Sequence, residues 1–419
     1  MMVHKMIEHL ETGNLEEAQK AFKYVLEMGS DEEQFLLAEE LVRFGLLEES
    51  QTLLEKLLIS YPNEGEILVL LAEIILESGE EERAMLLLEQ VRPDDAEYPR
   101  ALLLMADLYQ MEGLYEVSER KLLEAKRLLP NESLLDFALG ELYAEQGKHS
   151  EAISSYAEIL KKQEEIAGSN VYQRIAENLS ASGEFEEALP YYEKAMEQKL
   201  EINTLFGYAF TALQAGKYNT AIGKFEELRA LDPEYHSLYL YLARAYEHEG
   251  MDREAFGAVM EGIKADSYNK ELYFYGGKLA LKLGNESEAE RLLREAIALD
   301  PEFTQGILLL NRLLIRQERY EEVDELISIA EANEEEEPQL LWDSAIAKSH
   351  LEQYSEALNK YRLAYNFFKD NKDFLVDYGY FLIEEGKIAE AGEIFSTLAR
   401  NDQGNEEYRE ILQRLTDDV

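Results

Sequence analysis

Polar turns interrupt the apolar positions of this chain at a near-constant interval. Most of the turns hold a glycine: Gly13, Gly45, Gly79, Gly113, Gly147, Gly183, Gly216, Gly250, Gly284 and Gly386. Between the last two, the same phase falls on Glu318 and Glu352. Each stands two residues before a tyrosine, Tyr320 and Tyr354, as Gly216 stands before Tyr218. The commonest step is 34 residues, as from Gly79 to Gly113; the shortest is 32 (Gly13 to Gly45) and the longest 36 (Gly147 to Gly183). Such a period marks a repeat array, in which one supersecondary unit recurs and buries its apolar face against its neighbours.

With the turn residue set as position 15, each unit reads as two helices flanking the turn. Position 8 is small in most units: Ala38, Ala72, Ala106, Gly140, Ala176, Ala209, Ala243, Gly277, Ala345 and Gly379, with Asn311 the exception. Position 20 is small again, from Ala18 and Ser50 through to Ala357 and Ala391, with Val323 the largest. Small side chains at both places let two helices approach closely. Position 24 is large, as in Phe22, Tyr156, Tyr192, Phe225, Tyr361 and Phe395, and is expected to fill the space toward the next unit. Pro62, Pro130, Pro233 and Pro301 fall at position 32, where proline ends one helix and admits the next.

This pattern resembles the tetratricopeptide repeat family, which has small residues at positions 8 and 20, an aromatic at 24 and proline at 32. In outline the chain is also similar to the acidic cytosolic YpiA-type repeat proteins of Bacillus-like bacteria. The resemblance covers essentially the whole chain. It implies an all-α protein, a right-handed superhelical α-solenoid of about twelve tetratricopeptide-like helix–turn–helix repeats, with no sheet. The first helix of the first repeat is expected to be short. The segment 406–419 reads as a C-terminal capping helix, because an array needs a terminal unit with a polar outer face. The long step after Gly147 places extra residues in the stretch KKQEEIAGSN, read either as a tolerated loop insertion or as a hinge.

Composition narrows the function. The chain has 419 residues, 46% of them hydrophobic, and only 8 prolines, which suits a folded helical protein too long for one core. Net charge is 41 − 87 = −46, a field that repels phosphate backbones and anionic membrane surfaces, so neither nucleic acid nor membrane insertion is expected. The absence of cysteine removes disulfides, thiolate metal sites and cysteine nucleophiles. The longest apolar stretch, residues 67–76, contains Glu73 and is too short to span a bilayer. The first residues do not read as a signal peptide. A cytoplasmic location is the expectation.

No catalytic constellation emerges. The histidines, His4, His9, His149, His236, His248 and His350, lack HExxH spacing, and no glycine-rich phosphate loop occurs. The acid run Glu334–Glu337 reads as a solvated loop. The expectation is a non-enzymatic protein without cofactor or metal.

Candidate binding residues follow from the resemblance, which implies that the first helix of each unit lines a concave groove through positions 2, 5, 9 and 12 or 13. Position 9 carries Glu39, Glu73, Asp107, Glu141 and Glu177, then Phe210, then Arg244, Lys278 and Arg312, then Ile346 and Tyr380. Position 13, one turn on, adds His248, Lys282, Arg316 and His350. Position 5 supplies Phe35, Phe137, Phe206, Phe274 and Trp342. Phe274, Lys278 and Lys282 are spaced to share one helix face. The chain therefore divides into residues 1–168, repeats 1–5 with an acidic groove, and 169–405, repeats 6–12 with a partly basic one. The expected partner is a protein or peptide segment, acidic toward the C-terminal half or basic toward the N-terminal half. The competing readings are that the cations Arg244, Lys278, Lys282, Arg312 and Arg316 merely pair with neighbouring acids, or that the protein is a regulatory or assembly subunit, or a peptide sensor.

Overall fold

The protein is described by a computed structural model covering residues 2–331, 337–402 and 404–417, so Glu334, Glu335 and Glu336 of the acid run lie outside the described residues. Among the described residues the fold is carried by 25 helices, most of 12 to 14 residues, in antiparallel pairs across the polar turns. The helix of the first repeat, Met2–Glu11, is shorter, at 10 residues. They form two compact units, Met1–Thr211 and Ala212–Val419, each a stack of tetratricopeptide-type helix pairs.

The turn chemistry sets the period. The turn glycines lie at φ between 68° and 84°. In each turn two successive backbone N–H groups fold back onto the helix. Gly147 N donates to Ala144 O at 3.0 Å and Lys148 N to Tyr143 O at 2.8 Å. This left-handed C-terminal motif satisfies carbonyls that the helix end would leave open. Glu318 and Glu352, which stand in the same phase without being glycine, adopt φ of 59° and 60° and make the same pair of bonds. The motif is thus imposed on residues that pay for it sterically.

The small positions explain the pairing. Ala72, Ala176, Ala243 and Ala345 at position 8 have no exposed surface. Where glycine stands there instead, a large residue of the same repeat fills the slot. A Cβ on Gly140 would meet the Tyr156 ring at 2.6 Å, one on Gly277 would meet Leu293 at 2.7 Å, and one on Gly379 would meet Phe395 at 2.8 Å. Position 24 thus packs within its own repeat. Tyr192 also reaches the next one, where its hydroxyl lies 2.9 Å from a Cβ built on Gly207. Ser50 at position 20 closes its slot with a buried hydrogen bond to Ala38 O, 2.8 Å.

Two local features depart from the plain array. The extra residues after Gly147 form a β-hairpin, Glu165–Ile166 paired antiparallel with Ser169–Asn170, a small correction to the expectation of no sheet. Its two-residue turn, Ala167 and Gly168, has φ of 49° and 75°, the left-handed pair that matches strand twist. In the second unit the helix Glu406–Asp417 buries Tyr408 and Leu415 in the terminal core, and its exposed face carries Glu407, Glu410 and Arg414, as a cap requires.

Candidate functional site

In each unit the first helices of adjacent repeats leave a cavity between charged and aromatic side chains. The first-unit cavity, about 550 Å³, lies between the helices Tyr98–Met111 and Ser133–Glu145, with Tyr115 and the hairpin residue Ala167 also on its wall. Leu103, Met111, Leu134, Phe137 and Ala138 supply the apolar lining, and Asp107, Glu141 and Glu145 the charge. Asp107 and Glu141 thus face the same cavity. Asp107 has no ion-pair partner among the described residues, and the surrounding protein pushes its carboxyl up to about 6. Glu141 accepts the Tyr156 hydroxyl at 2.5 Å and has Arg174 at 3.3 Å. Glu145 accepts from Gln110 and from the Tyr115 hydroxyl, 3.0 Å.

The other predicted acids of this unit, Glu39, Glu73 and Glu177, do not line this cavity. The Arg100 guanidinium donates to both oxygens of Glu73, at 2.9 and 2.6 Å. Glu177 accepts from Gln173 at 2.8 Å and lies 3.3 Å from Arg174.

The second-unit cavity, about 640 Å³, gathers Arg244, Phe274, Lys278 and Lys282 from the helices Leu238–His248 and Lys270–Lys282. Phe274 is half-buried and meets Phe303 edge-on at 5.2 Å. The lysines are not bare. Glu247 lies 3.4 Å from both, and Asp252 lies 2.7 Å from Lys282. Burial pushes the Glu247 carboxyl up, but the Tyr275 hydroxyl and the two lysines outweigh it and hold the group below its ordinary value. Arg244 rests over the rings of Tyr241 and Tyr275, 5.7 and 5.9 Å from their centres.

Arg312, Arg316 and Trp342 do not line this cavity. Arg316 pairs with Glu286 at 2.6 Å. Trp342 donates to Asp377 at 3.1 Å and packs on Phe368 and Phe374. Arg312 is exposed beside a buried polar cluster in which Asn311 donates to Asp343 at 3.4 Å and Gln339 donates to it at 2.9 Å. Burial pushes Asp343 up to about 6, against those two hydrogen bonds and the Arg312 charge. Two of the predicted histidines, His248 and His350, stack flat on Tyr218 and Tyr320 at 4.4 and 4.1 Å.

Sequence reasoning passed over Glu145 and Glu247, and it located the residues of the hairpin without their strands. Glu145 and Glu247 stand at positions 13 and 12, so the groove positions alone could have found them. The hairpin had its signal in the Ala167–Gly168 turn.

Comparison with known proteins agrees with the repeat pattern. A profile of YpiA-like tetratricopeptide repeats matches residues 110–164, and one of YpiA-like C-terminal tetratricopeptide repeats matches 338–402. General tetratricopeptide profiles match 41–108, 211–270, 169–201 and 272–303. The chain is 47% identical to the TPR repeat-containing protein YpiA of Bacillus subtilis over 314 residues, 75% of this chain and 74% of that protein. Among solved structures, it is similar to the APC/C hetero-tetramer Cut9–Hcn1 (13% identity, TM-score 0.38, 98% of this chain and 95% of that one). It is also similar to YrrB, described as a TPR protein with an unusual peptide-binding site (15% identity, TM-score 0.39, 44% and 95%).

Proposed function

This chain belongs to the YpiA-like family of tetratricopeptide-repeat proteins, and from that premise we propose that it is a non-catalytic scaffold holding a partner protein segment against its first-helix faces. Tetratricopeptide folds generally mediate protein–protein interaction. The observation that carries the reading to particular residues is the second-unit cavity, where Arg244, Lys278 and Lys282 surround half-buried Phe274. A ring beside cations suits a segment that presents an acidic and an apolar side chain. Arg312, Arg316 and Trp342 extend this surface in the proposal, and the acidic residues Glu73, Asp107, Glu141 and Glu177 form its counterpart over residues 1–168. The reading keeps the cytoplasm as its compartment and excludes nucleic acid as a partner on charge. Among the described residues no helix is long and apolar enough to cross a membrane.

The test is site-specific photo-crosslinking in cells. A crosslinker at exposed Gln305, on the cavity wall, should capture a protein. One at exposed Lys264, on a second helix, should not. Lys278→Glu with Arg312→Glu should abolish the capture while leaving the helical circular dichroism intact. Capture from Lys264 alone, or capture indifferent to the double substitution, defeats the proposal.

A further inference from the structure

The first-unit cavity differs from a plain groove between repeats. Its apolar lining is open to solvent, with Met111 70% and Leu134 39% exposed. Asp107, Glu141 and Glu145 add three carboxylates to it, and among the described residues the sole cation paired with any of them is Arg174, on Glu141. The hairpin that interrupts the repeat supplies a wall through Ala167, a non-glycine residue held at φ 49°. An apolar lining bearing uncompensated negative charge is unfavourable when empty, because like charges repel across it and apolar surface stays wet. Both costs are relieved by one kind of occupant.

We propose that this cavity is a docking site for a protein segment in which lysine or arginine flanks a large apolar residue. The apolar side chain enters against Leu103, Met111 and Phe137, and the cations meet Asp107 and Glu145. Charge complementarity selects this occupant. An acidic segment would add to the repulsion, and a polyanion such as nucleic acid would do so at every phosphate. The protonation of Asp107 agrees with the geometry. Its carboxyl, pushed up to about 6, would return toward its ordinary value beside a cation, so binding should weaken as pH falls below about 6. The other ionisable groups on the cavity are Glu141, Glu145 and Tyr115, with Arg174 beside Glu141. This inference rests on the scaffold reading above but concerns a separate cavity.

The experiment uses the full chain and three fluorescent peptides: one alternating lysine and leucine, one with glutamate for lysine, and one with serine for leucine. Anisotropy should show the first bound and the third unbound, and any binding of the second should survive loss of the Asp107 and Glu145 charges and disappear in Lys278→Glu. Asp107→Asn with Glu145→Gln keeps side-chain shape and should weaken binding of the first at least about tenfold. Met111→Ser should weaken it independently of salt, while the charge contribution should fade at high salt. Circular dichroism checks that each variant is folded. Equal affinity of the first and third peptides, or of wild type and the double variant, overturns the inference. A second-unit Lys278→Glu variant serves as the separating control: it should leave the first peptide bound, loss of the first peptide there with none at Asp107 and Glu145 sinks this site, and loss of the second peptide there keeps the scaffold reading standing. Failure of the first peptide at Asp107 and Glu145 together with failure of the second at Lys278 sinks both.

Discussion

The cavity walled by Asp107 and Glu145 and the cavity walled by Lys278 and Lys282 are cut from the same repeat positions, yet their charges are handled in opposite ways. In the second unit each lysine finds an acid on the neighbouring repeat, Glu247 or Asp252. In the first unit Asp107 has no ion-pair partner among the described residues and Glu145 has only neutral donors, Gln110 and Tyr115. The reason is supply. With 87 acids against 41 bases, a cation rarely lacks a carboxylate within reach, whereas an acid often lacks a cation. In so acidic a chain, a run of bases in the sequence is therefore weaker evidence of an available surface than a run of acids. The packing beneath is shared. Gly140 accepts Tyr156 in one unit and Gly277 accepts Leu293 in the other.

The largest expected effect comes from attacking that shared packing on one side. Gly140→Leu would drive its side chain into Tyr156, which is fully buried and cannot swing clear. The cost should be about 3 kcal/mol, the upper end of ordinary overpacking. Because Tyr156 also holds Glu141, the first-unit cavity should be lost with it. Ala243→Leu, its counterpart in the second unit, should cost roughly 1–3 kcal/mol, since the slot already admits a Cβ. Hydrogen exchange should show each substitution loosening its own repeats, as nearest-neighbour coupling demands. Loss of protection spread evenly over both units would break the comparison.

A second contrast lies inside the second unit, where position 8 is Asn311 and not alanine or glycine. Its Oδ1 is buried without a hydrogen bond, and it faces Asp343, which is 6% exposed. The folded protein binds the Asp343 proton more tightly than an ordinary carboxyl does, about 6 against 3.8. The stability that the protonated form contributes is therefore fully present below about 4 and lost as pH rises through about 6. Asp343→Asn supplies a permanent donor for Asn311 Oδ1. It should stabilise the protein at pH 7.5 by on the order of 2 kcal/mol and by nearly nothing at pH 4. Parallel melting profiles of variant and wild type across that range would show that Asp343 is not the group responsible.

Much of this architecture is legible in the sequence, and what is not has a physical reason. The left-handed turns could be read even at Glu318 and Glu352, because phase fixes backbone geometry whatever the side chain. The small slots could be read because helix contact tolerates few residue types there. The hairpin could be located but not shaped, since KKQEEIAGSN has no strand periodicity long enough to register. Among the candidate residues, Phe274, Lys278 and Lys282 share a face because i, i+4, i+8 spacing settles that locally. Whether Lys282 is free depends on Asp252, 30 residues earlier on another helix, and nothing local reports it. Trp342 illustrates the same limit, for its orientation is decided by Phe374 and Asp377 in the following repeat.

The smallest effect tests the compensation itself. Glu247→Gln keeps the shape of the side chain, which is 19% exposed, and removes the charge shared by Lys278 and Lys282. Those lysines are exposed, so their attraction to Glu247 is screened, and the Tyr275 hydroxyl can still donate to the amide oxygen. The loss of stability should therefore stay under about 1 kcal/mol and shrink with added salt. Its pH dependence should run opposite to that of Asp343. A carboxyl held below its ordinary value gives stability that is present above that value and lost as pH falls through the lowered one, so variant and wild type should converge in acid. Binding should move the other way from stability. With Glu247 neutral, Lys282 keeps its pair with Asp252 while both lysines lose the charge they shared, and an acidic peptide with one apolar side chain should bind more tightly to the variant than to wild type. Unchanged affinity for that peptide would mean that the second-unit cations serve their own neighbours and nothing else, leaving the first-unit cavity as the surface open to a partner.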